Sequence, residues 1–132
     1  MKVRPLEELS ALVKSKNGKK VVLANGCFDI LHVGHLRYLE GARALGDVLV
    51  VAINSDKSMR LIKDAGRPIL SETERVALVS ALRCVDYVVV FDEPDLSRVL
   101  DVLGPAIHAK GPGHSTRDII ERILGKRKSQ SD

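Results

Sequence analysis

The chain has 132 residues, a formal net charge of +4 and 45% hydrophobic residues. This length predicts one domain with its own core, and the apolar content excludes a disordered chain. No apolar run reaches transmembrane length and the first 20 residues lack a signal-peptide core, so we expect a cytoplasmic protein without a membrane partner. Two Phe, two Tyr and no Trp are too few aromatics for single-stranded nucleic-acid binding. The mild positive charge is typical of proteins that bind small phosphorylated molecules.

Hydrophobic periodicity predicts helices and strands that alternate along the chain. In chain order these are a helix from Pro5, a strand over 20–24, a helix over 33–45, a strand over 48–53, an irregular stretch over 54–70, a helix from Ser71 to about Leu82, a strand over 87–91, a helix over 96–103, a strand over 106–109 and a last helix from Ser115. This alternation predicts an α/β fold, a Rossmann-like doubly wound parallel sheet with helices on both faces. We expect a single domain over 1–126 and a disordered polar tail over 127–132.

The turn between the first strand and the following helix carries the strongest chemical signal, the run NGCFDILHVGH over 25–35. Ligands bind at the carboxyl ends of parallel strands, and a helix N-terminus there attracts an anion. Gly34 lets a phosphate approach the backbone. His32 and His35 lie three residues apart, so they face the same side of the first helical turn. We interpret this turn as a nucleotide-phosphate site whose imidazoles stabilise charge as pyrophosphate leaves.

Alternative interpretations of these residues stay open. Cys27, Asp29, His32 and His35 include zinc-ligand types, but no second ligand cluster is evident, so we predict no metal site. Asp29 is a candidate to place magnesium or the acceptor, or else to cap the helix. One surface and one core histidine would be the simplest alternative for the histidine pair. His108 is expected to pack in the core or at a strand edge, and we assign it no role.

Further candidates for phosphate binding lie later in the chain. Lys63, in the irregular stretch, is placed to reach a triphosphate as a point charge, although a solvated lysine is the alternative. Lys110 stands beside Gly111 at the carboxyl end of the fourth strand. Ser115 and Thr116 begin the last helix, where ordinary capping and anion binding are compatible. Neither GxGxxG nor a P-loop sequence is present, so those two nucleotide-binding motifs are excluded.

The run NGCFDILHVGH resembles the signature of the cytidylyltransferase-like nucleotidyltransferase family, which contains a His-x-Gly-His motif. The likeness continues through GARALGDVLVVAINSD, GRPIL, ALRCVDYVVVFDEPD and the Ala-Lys-Gly turn that ends at Gly111. With the later STxxII pattern it covers about residues 18–125. Within the family, the chain is most similar to the adenylyltransferase domain of bacterial ADP-heptose synthase.

The resemblance implies transfer of AMP from ATP to a sugar 1-phosphate similar to heptose 1-phosphate, with release of pyrophosphate, a requirement for Mg²⁺ and a homodimer. The combined prediction assigns catalysis to His32, His35 and Lys63. It assigns nucleotide binding to Asn25, Gly26, Cys27, Phe28, Asp29, Gly34, Lys110, Gly111, Ser115 and Thr116.

The chain departs from the family pattern after Gly111. Only Pro112, Gly113 and His114 precede the Ser-Thr helix, where the family has a longer stretch with another strand. This shortening motivates the alternative of a nucleotide-binding module without catalysis. Glycerol-3-phosphate cytidylyltransferase and archaeal-type FAD synthetase share the histidine turn and are alternative activities. Their pattern after the fourth strand tends toward Gly-x-Asp, so Lys110 favours the heptose-like group. The choice between ATP and CTP stays open.

Overall fold

The computed structural model describes residues 1–15, 17–62 and 66–110. Its elements are α1 (Leu6–Lys14), β1 (Val21–Gly26), α2 (Val33–Arg43), β2 (Val48–Asn54), α3 (Asp56–Ile62), α4 (Glu72–Ser80), β3 (Tyr87–Phe91), α5 (Ser97–Leu103) and β4 (Ile107–Ala109). The helix predicted from Ser115 and the polar tail predicted over 127–132 lie outside the described residues. None of the helices in the described part is long and apolar enough to cross a membrane.

The described strands form one parallel sheet in the order β3-β2-β1-β4. β1 pairs with β2 along its whole length, from Val21 opposite Val48 to Gly26 opposite Ile53. On its other side β1 pairs with β4. The chain therefore moves outward from β1 to β3 and then crosses back to the far side of β1. The carboxyl ends of β1 and β4 flank the point where strand order reverses, which is where such sheets bind ligands. The α/β fold class is confirmed.

Helices cover both faces of the sheet. Leu39 of α2 and Val79 of α4 pack on one face, and Leu9 of α1 and Val99 of α5 pack on the other. All seven residues of β2 are buried, as expected for a parallel strand covered on both sides. The central strands are thus fixed by packing from above and below. Their carboxyl ends, where the polar residues begin, hold a defined geometry.

The predictions for the end of the first strand and for the stretch over 54–70 are wrong. The first strand was expected to end at Ala24, but its pairing with β2 continues through Asn25 and Gly26. Those two residues therefore belong to the strand rather than to the turn. The stretch over 54–70 was expected to be irregular but contains α3. Its first turn is stabilised by the Ser55 hydroxyl, which accepts a hydrogen bond from the N–H of Ser58, and by the buried side chain of Met59. Polar residues in this segment mask the helical pattern.

Candidate active site

A cavity of about 670 Å³ opens at the carboxyl ends of the strands. Most of the predicted site residues in the described part of the chain line it: Asn25, Gly26, Cys27, Phe28, Asp29, His32, His35 and Lys110. The cavity extends from the end of β1 over β2 toward β3, where Phe91, Asp95 and Leu96 line its far end.

The turn after β1 owes its shape to Gly26 and Phe28. Phe28 has a φ of 52°, a left-handed conformation that costs energy for a residue with a large side chain. Its ring is buried and folds back beneath Gly26, where a Cβ would lie only 3.0 Å from the ring. The ring then contacts His35 edge to face, with ring centroids 5.3 Å apart. The resemblance assigned Phe28 to the nucleotide; in the structure its ring supports the His35 imidazole.

The two histidines cap the N-terminus of α2. His32 is the N-cap residue, and its Nδ1 accepts a hydrogen bond from the N–H of Gly34 at 3.0 Å. Nδ1 of His35 accepts one from the N–H of His32 at 3.1 Å. The imidazole centroids lie 4.0 Å apart. The sequence correctly predicted that these side chains share one side of the helix, but it did not predict that they form the cap.

This capping arrangement fixes the protonation pattern of the rings. Nδ1 of each ring accepts a backbone N–H and so carries no proton, which leaves the proton of the ring on Nε2. Burial, with the neighbouring His32 ring as a smaller electrostatic cause, lowers the pKa of His35 below its ordinary value. His35 is therefore neutral at neutral pH. Both rings line the cavity, and Nε2 is the ring nitrogen that the cap leaves unused.

Gly34 provides the space that the His32 ring occupies. A Cβ on Gly34 would lie 2.8 Å from Cε1 of His32 and 3.0 Å from its Nδ1. Such contacts would force the imidazole away from the cap. The predicted role of Gly34, close approach of a phosphate to the backbone, is thus joined by a structural one. The N–H groups of His32 and Gly34 donate to the imidazoles.

Asp29 anchors the segment that precedes α4. Its carboxylate accepts hydrogen bonds from the N–H groups of Ile69 and Leu70 and pairs with Arg67 at 2.9 Å. Burial alone would raise the pKa of Asp29, but the N–H donors and the guanidinium outweigh it and lower the pKa. The expectation that Asp29 caps α2 is wrong, because His32 takes that position.

Arg75 is a site-building residue that sequence reasoning missed. Its side chain has no exposed surface. One guanidinium nitrogen donates to the carbonyls of Cys27 and Asn54, both at 2.7 Å, and the others reach the carbonyl of Leu70 and the carboxylate of Asp56. Arg75 therefore joins the ends of β1 and β2 to the segment held by Asp29. The sequence did contain a signal for its burial. Arg75 lies four residues before the apolar Val79, so both side chains are on the core-facing side of α4.

A buried polar chain continues this network toward β3. The Cys27 thiol lies 3.6 Å from Oδ1 of Asn54, Nδ2 of Asn54 donates to the Ser58 hydroxyl, and that hydroxyl donates to the carbonyl of Glu93. Asn54 was not among the predicted site residues, although it is the polar residue that ends the otherwise apolar strand β2. The chain of contacts fixes the cavity wall from the histidine turn to the end of β3. Cys27 and Cys84 are free cysteines.

The switch point between β1 and β4 is held by side chains from three elements. The Tyr38 hydroxyl donates to the carbonyl of Ala109 at 2.6 Å and accepts from the N–H of Asn25 at 3.1 Å. Nε2 of His108 lies 2.9 Å from Oδ1 of Asn25. Burial raises the pKa of Tyr38, so this phenol stays neutral. His108, which received no assignment from the sequence, thus contacts a cavity-lining residue.

Several predicted residues cannot be placed in this geometry. Lys63, Gly111, Ser115 and Thr116 lie outside the described residues. Among the residues that are described, no three His, Cys, Asp or Glu side chains are grouped to hold a metal ion. In the zinc set considered above, both carboxylate oxygens of Asp29 already accept hydrogen bonds.

Comparison with known proteins identifies relatives that match more than nine tenths of this chain. The chain is 47% identical over 123 residues to the bifunctional protein HldE of Citrifermentans bemidjiense, a match that covers 92% of this chain and 25% of the relative. It is 46% identical over 125 residues to HldE of Helicobacter pylori strain J99, with 95% of this chain and 27% of the relative covered. The chain therefore spans about a quarter of the length of these curated relatives.

The chain is also similar to a solved structure. The crystal structure of the lipopolysaccharide core biosynthesis protein from Thermoplasma volcanium GSS1 superposes with a TM-score of 0.65 and 33% identity, covering 81% of this chain and 88% of that chain. The family model described as cytidylyltransferase-like matches residues 23–130. The resemblance stated from the sequence is confirmed: this chain belongs to the cytidylyltransferase-like family.

Proposed function

We propose that this chain is a nucleotidyltransferase that transfers AMP from ATP to a phosphorylated sugar similar to heptose 1-phosphate, with release of pyrophosphate. The observation that carries the proposal is the histidine cap of α2. His32 and His35 present Nε2–H donors to the cavity at a helix N-terminus with no acidic residue in its first turn. Donors that are held in place before the reaction stabilise the charge that develops on transferring phosphate groups.

In the proposed reaction, an ionised phosphate oxygen of the acceptor attacks the α-phosphorus of ATP. A new phosphorus–oxygen bond forms, the bond to the bridging oxygen of the β-phosphate breaks, and pyrophosphate leaves with the bonding electron pair. The attacking oxygen carries no proton, so no general base is required. The Nε2–H groups of His32 and His35 donate to phosphate oxygens as charge moves toward the leaving group.

Two cationic side chains in the described lining support a site for two phosphorylated substrates. Lys110 follows β4 beside the switch point, and Arg67 lies on the other side of the histidine turn, paired with Asp29. We place the triphosphate between the histidine turn and Lys110. The acceptor then occupies the far end of the cavity, beside Arg67 and the end of β3. Predicted roles for Lys63, Gly111, Ser115 and Thr116 at the triphosphate are part of the same proposal.

We propose that Mg²⁺ binds together with the nucleotide. The described residues build no protein cage for it, and Asp29, the carboxylate nearest the histidine turn in sequence, accepts hydrogen bonds on both oxygens. Mg²⁺ in nucleotide sites is usually held by substrate phosphates and water with few protein ligands. We therefore propose MgATP as the substrate form, and the ion's role is to neutralise phosphate charge.

The likeness to the HldE proteins and to a protein of lipopolysaccharide core biosynthesis supports a sugar-phosphate acceptor over the glycerol 3-phosphate and flavin alternatives.

We also propose a single domain over 1–126, a homodimer and a cytoplasmic location, all consistent with the family. A module that binds nucleotide without catalysis is the second candidate, supported by the short segment between Gly111 and Ser115.

Pyrophosphate release tests the proposal. The chain is incubated with Mg²⁺, either ATP or CTP, and a panel of sugar 1-phosphates, glycerol 3-phosphate and flavin mononucleotide. We expect release with ATP and a heptose 1-phosphate or a close analogue. Release only with CTP and glycerol 3-phosphate would favour the first alternative activity. Binding of ATP by calorimetry without release for any acceptor would contradict catalysis and favour the binding module.

A further inference from the structure

His108 and Asn25 meet across the point where strand order reverses. Leu23 of β1 is the register partner of His108 on β4, and Asn25 lies two residues further along β1, on the same face as Leu23. This places the Asn25 and His108 side chains on one side of the sheet as diagonal neighbours. Nε2 of His108 lies 2.9 Å from Oδ1 of Asn25.

Together with the tautomer of His108, the contact sets which end of the Asn25 carboxamide faces the cavity. A carboxamide has an oxygen that accepts and an NH₂ group that donates, and the two ends exchange when the group turns by half a revolution. When Nε2–H of His108 donates to Oδ1, the NH₂ group is turned away from β4. Within the described residues, Nδ2 of Asn25 contacts no protein acceptor, and Asn25 lines the cavity.

We propose that His108 is a positioning residue that sets the polarity of Asn25, so that Nδ2 of Asn25 donates to an oxygen of the bound nucleoside triphosphate. The inference rests on the proposed function, since it takes the ligand to be an anionic nucleotide. The reverse orientation would aim the carboxamide oxygen at phosphate oxygens, and two acceptors repel. His108 holds the favourable orientation before the ligand arrives, which removes the cost of turning the group on binding.

Nucleotide binding, rather than turnover, gives the direct test. The probe is α,β-methylene ATP with Mg²⁺, which has no cleavable oxygen bridge between its α- and β-phosphates, and the readout is Kd by titration calorimetry. His108→Leu removes the donor, and we expect Kd to rise about tenfold, as for loss of a hydrogen bond to a charged group. His108→Gln restores an N–H donor and is expected to recover most of the affinity.

Two variants of Asn25 test the polarity itself. Asn25→Ala removes the donor, and we expect a rise in Kd of about tenfold. Asn25→Asp keeps the size and places an oxygen where the NH₂ group stood, so we expect weaker binding than for Asn25→Ala. Combining His108→Leu with Asn25→Ala is expected to weaken binding no further than Asn25→Ala alone, because His108 acts through Asn25.

Asp47→Ala is the matched control. Asp47 accepts a hydrogen bond from the N–H of Lys20 at the amino-terminal ends of β1 and β2, away from the cavity. It is expected to lower the melting temperature without changing Kd. In turnover assays, His108→Leu is expected to raise the KM for ATP and leave kcat at saturation within about threefold, as for loss of uniform binding.

The outcomes separate this inference from the proposed function. Wild-type affinity in His108→Leu, equal losses in His108→Leu and His108→Gln, or additive losses in the double variant would overturn the positioning role. An Asn25→Asp variant that binds as well as wild type would show that the oxygen faces the ligand. Failure of the wild-type protein to bind the probe would overturn the proposed function, and the inference with it.

Discussion

Two helices of this protein begin with the same capping geometry but different chemistry. In α2, the N-cap side chain of His32 accepts from the helix backbone and His35, three residues later, accepts from the N-cap N–H. In α4, Ser71 and Glu74 make the same pair of contacts. Both arrangements satisfy backbone N–H groups that a helix start leaves unpaired.

The difference lies in what remains after capping. Glu74 accepts hydrogen bonds only, and with Glu72 it places negative charge in the first turn of α4, where it offsets the positive end of the helix dipole. An imidazole caps with one nitrogen and still has an N–H on the other. The first turn of α2 contains no acidic residue. The cap of α4 is complete in itself, whereas in the proposed function the cap of α2 also supplies a pair of donors to an anion.

The largest expected effect comes from Arg75, through which α4 supports the histidine turn. Arg75→Met keeps the volume but leaves the carbonyls of Cys27, Asn54 and Leu70 without their donor and Asp56 without its partner. We expect a loss of about 3 kcal/mol in the free energy of unfolding, measured by urea denaturation. Arg98→Met, which breaks an exposed pair with Glu7, is the control and should lower the free energy of unfolding far less. Equal losses in the two variants would show that Arg75 does not organise the site.

His35→Ala best distinguishes the function of the α2 cap from that of the α4 cap. We expect the transfer rate to fall at least tenfold, or about 1.4 kcal/mol of barrier, because a donor to the reacting phosphates is removed. Glu74→Ala removes the residue at the equivalent position of α4 and should leave the rate unchanged. Both variants should lose similar stability in thermal denaturation. A rate that fell equally in both would mean that the histidine pair acts only as a cap.

Ser71→Ala measures what a cap alone contributes. We expect the free energy of unfolding to fall by about 1 kcal/mol, since the N–H of Glu74 loses its acceptor. The rate at a temperature where the variant stays folded should match wild type. A large loss of rate would instead indicate that the start of α4 takes part in the reaction.

The smallest expected effect is a dependence of stability on pH that arises from His35 in the histidine cap. Because the pKa of His35 is lowered, the native state holds fewer protons than the unfolded state just below the ordinary histidine range. Stability therefore rises with pH through that range and is lost as the pH falls and His35 is protonated on Nδ1. Urea midpoints at about pH 7.5 and about pH 5.5 measure this, with His35→Gln as comparison. A midpoint in the wild-type protein that changes no more than in His35→Gln would contradict it.

Local patterns predicted the parts of the fold that depend on neighbours in sequence. The uniformly apolar β2 and the Ser71–Glu74 capping box have short-range signatures, and both are found as predicted. The histidine turn was also found, because three-residue spacing determines which side chains share a helix face. The α3 helix was missed because its stabilising contacts involve Ser55 and a single buried Met59, with no clear apolar stripe.

Long-range partners could not be predicted in this way. Asp29 was recognised as important, but its contacts with Arg67, Ile69 and Leu70 join residues about 40 positions apart. Arg75 carried a local signal, namely a charged residue on a core-facing side, but its carbonyl partners did not. Carbonyls are present at every position, so sequence alone does not show which of them a buried guanidinium will select.

The central position of β1 has a consequence for synthesis on the ribosome. Asn25 and His108, which meet at the switch point, are separated by 83 positions in the chain. A nascent polypeptide emerging at roughly 5–20 residues per second would hold the histidine turn for several seconds before β4 is available to pair with β1. During that interval one edge of β1 has no neighbour, so the amino-terminal half is the part most exposed to aggregation and to chaperone binding.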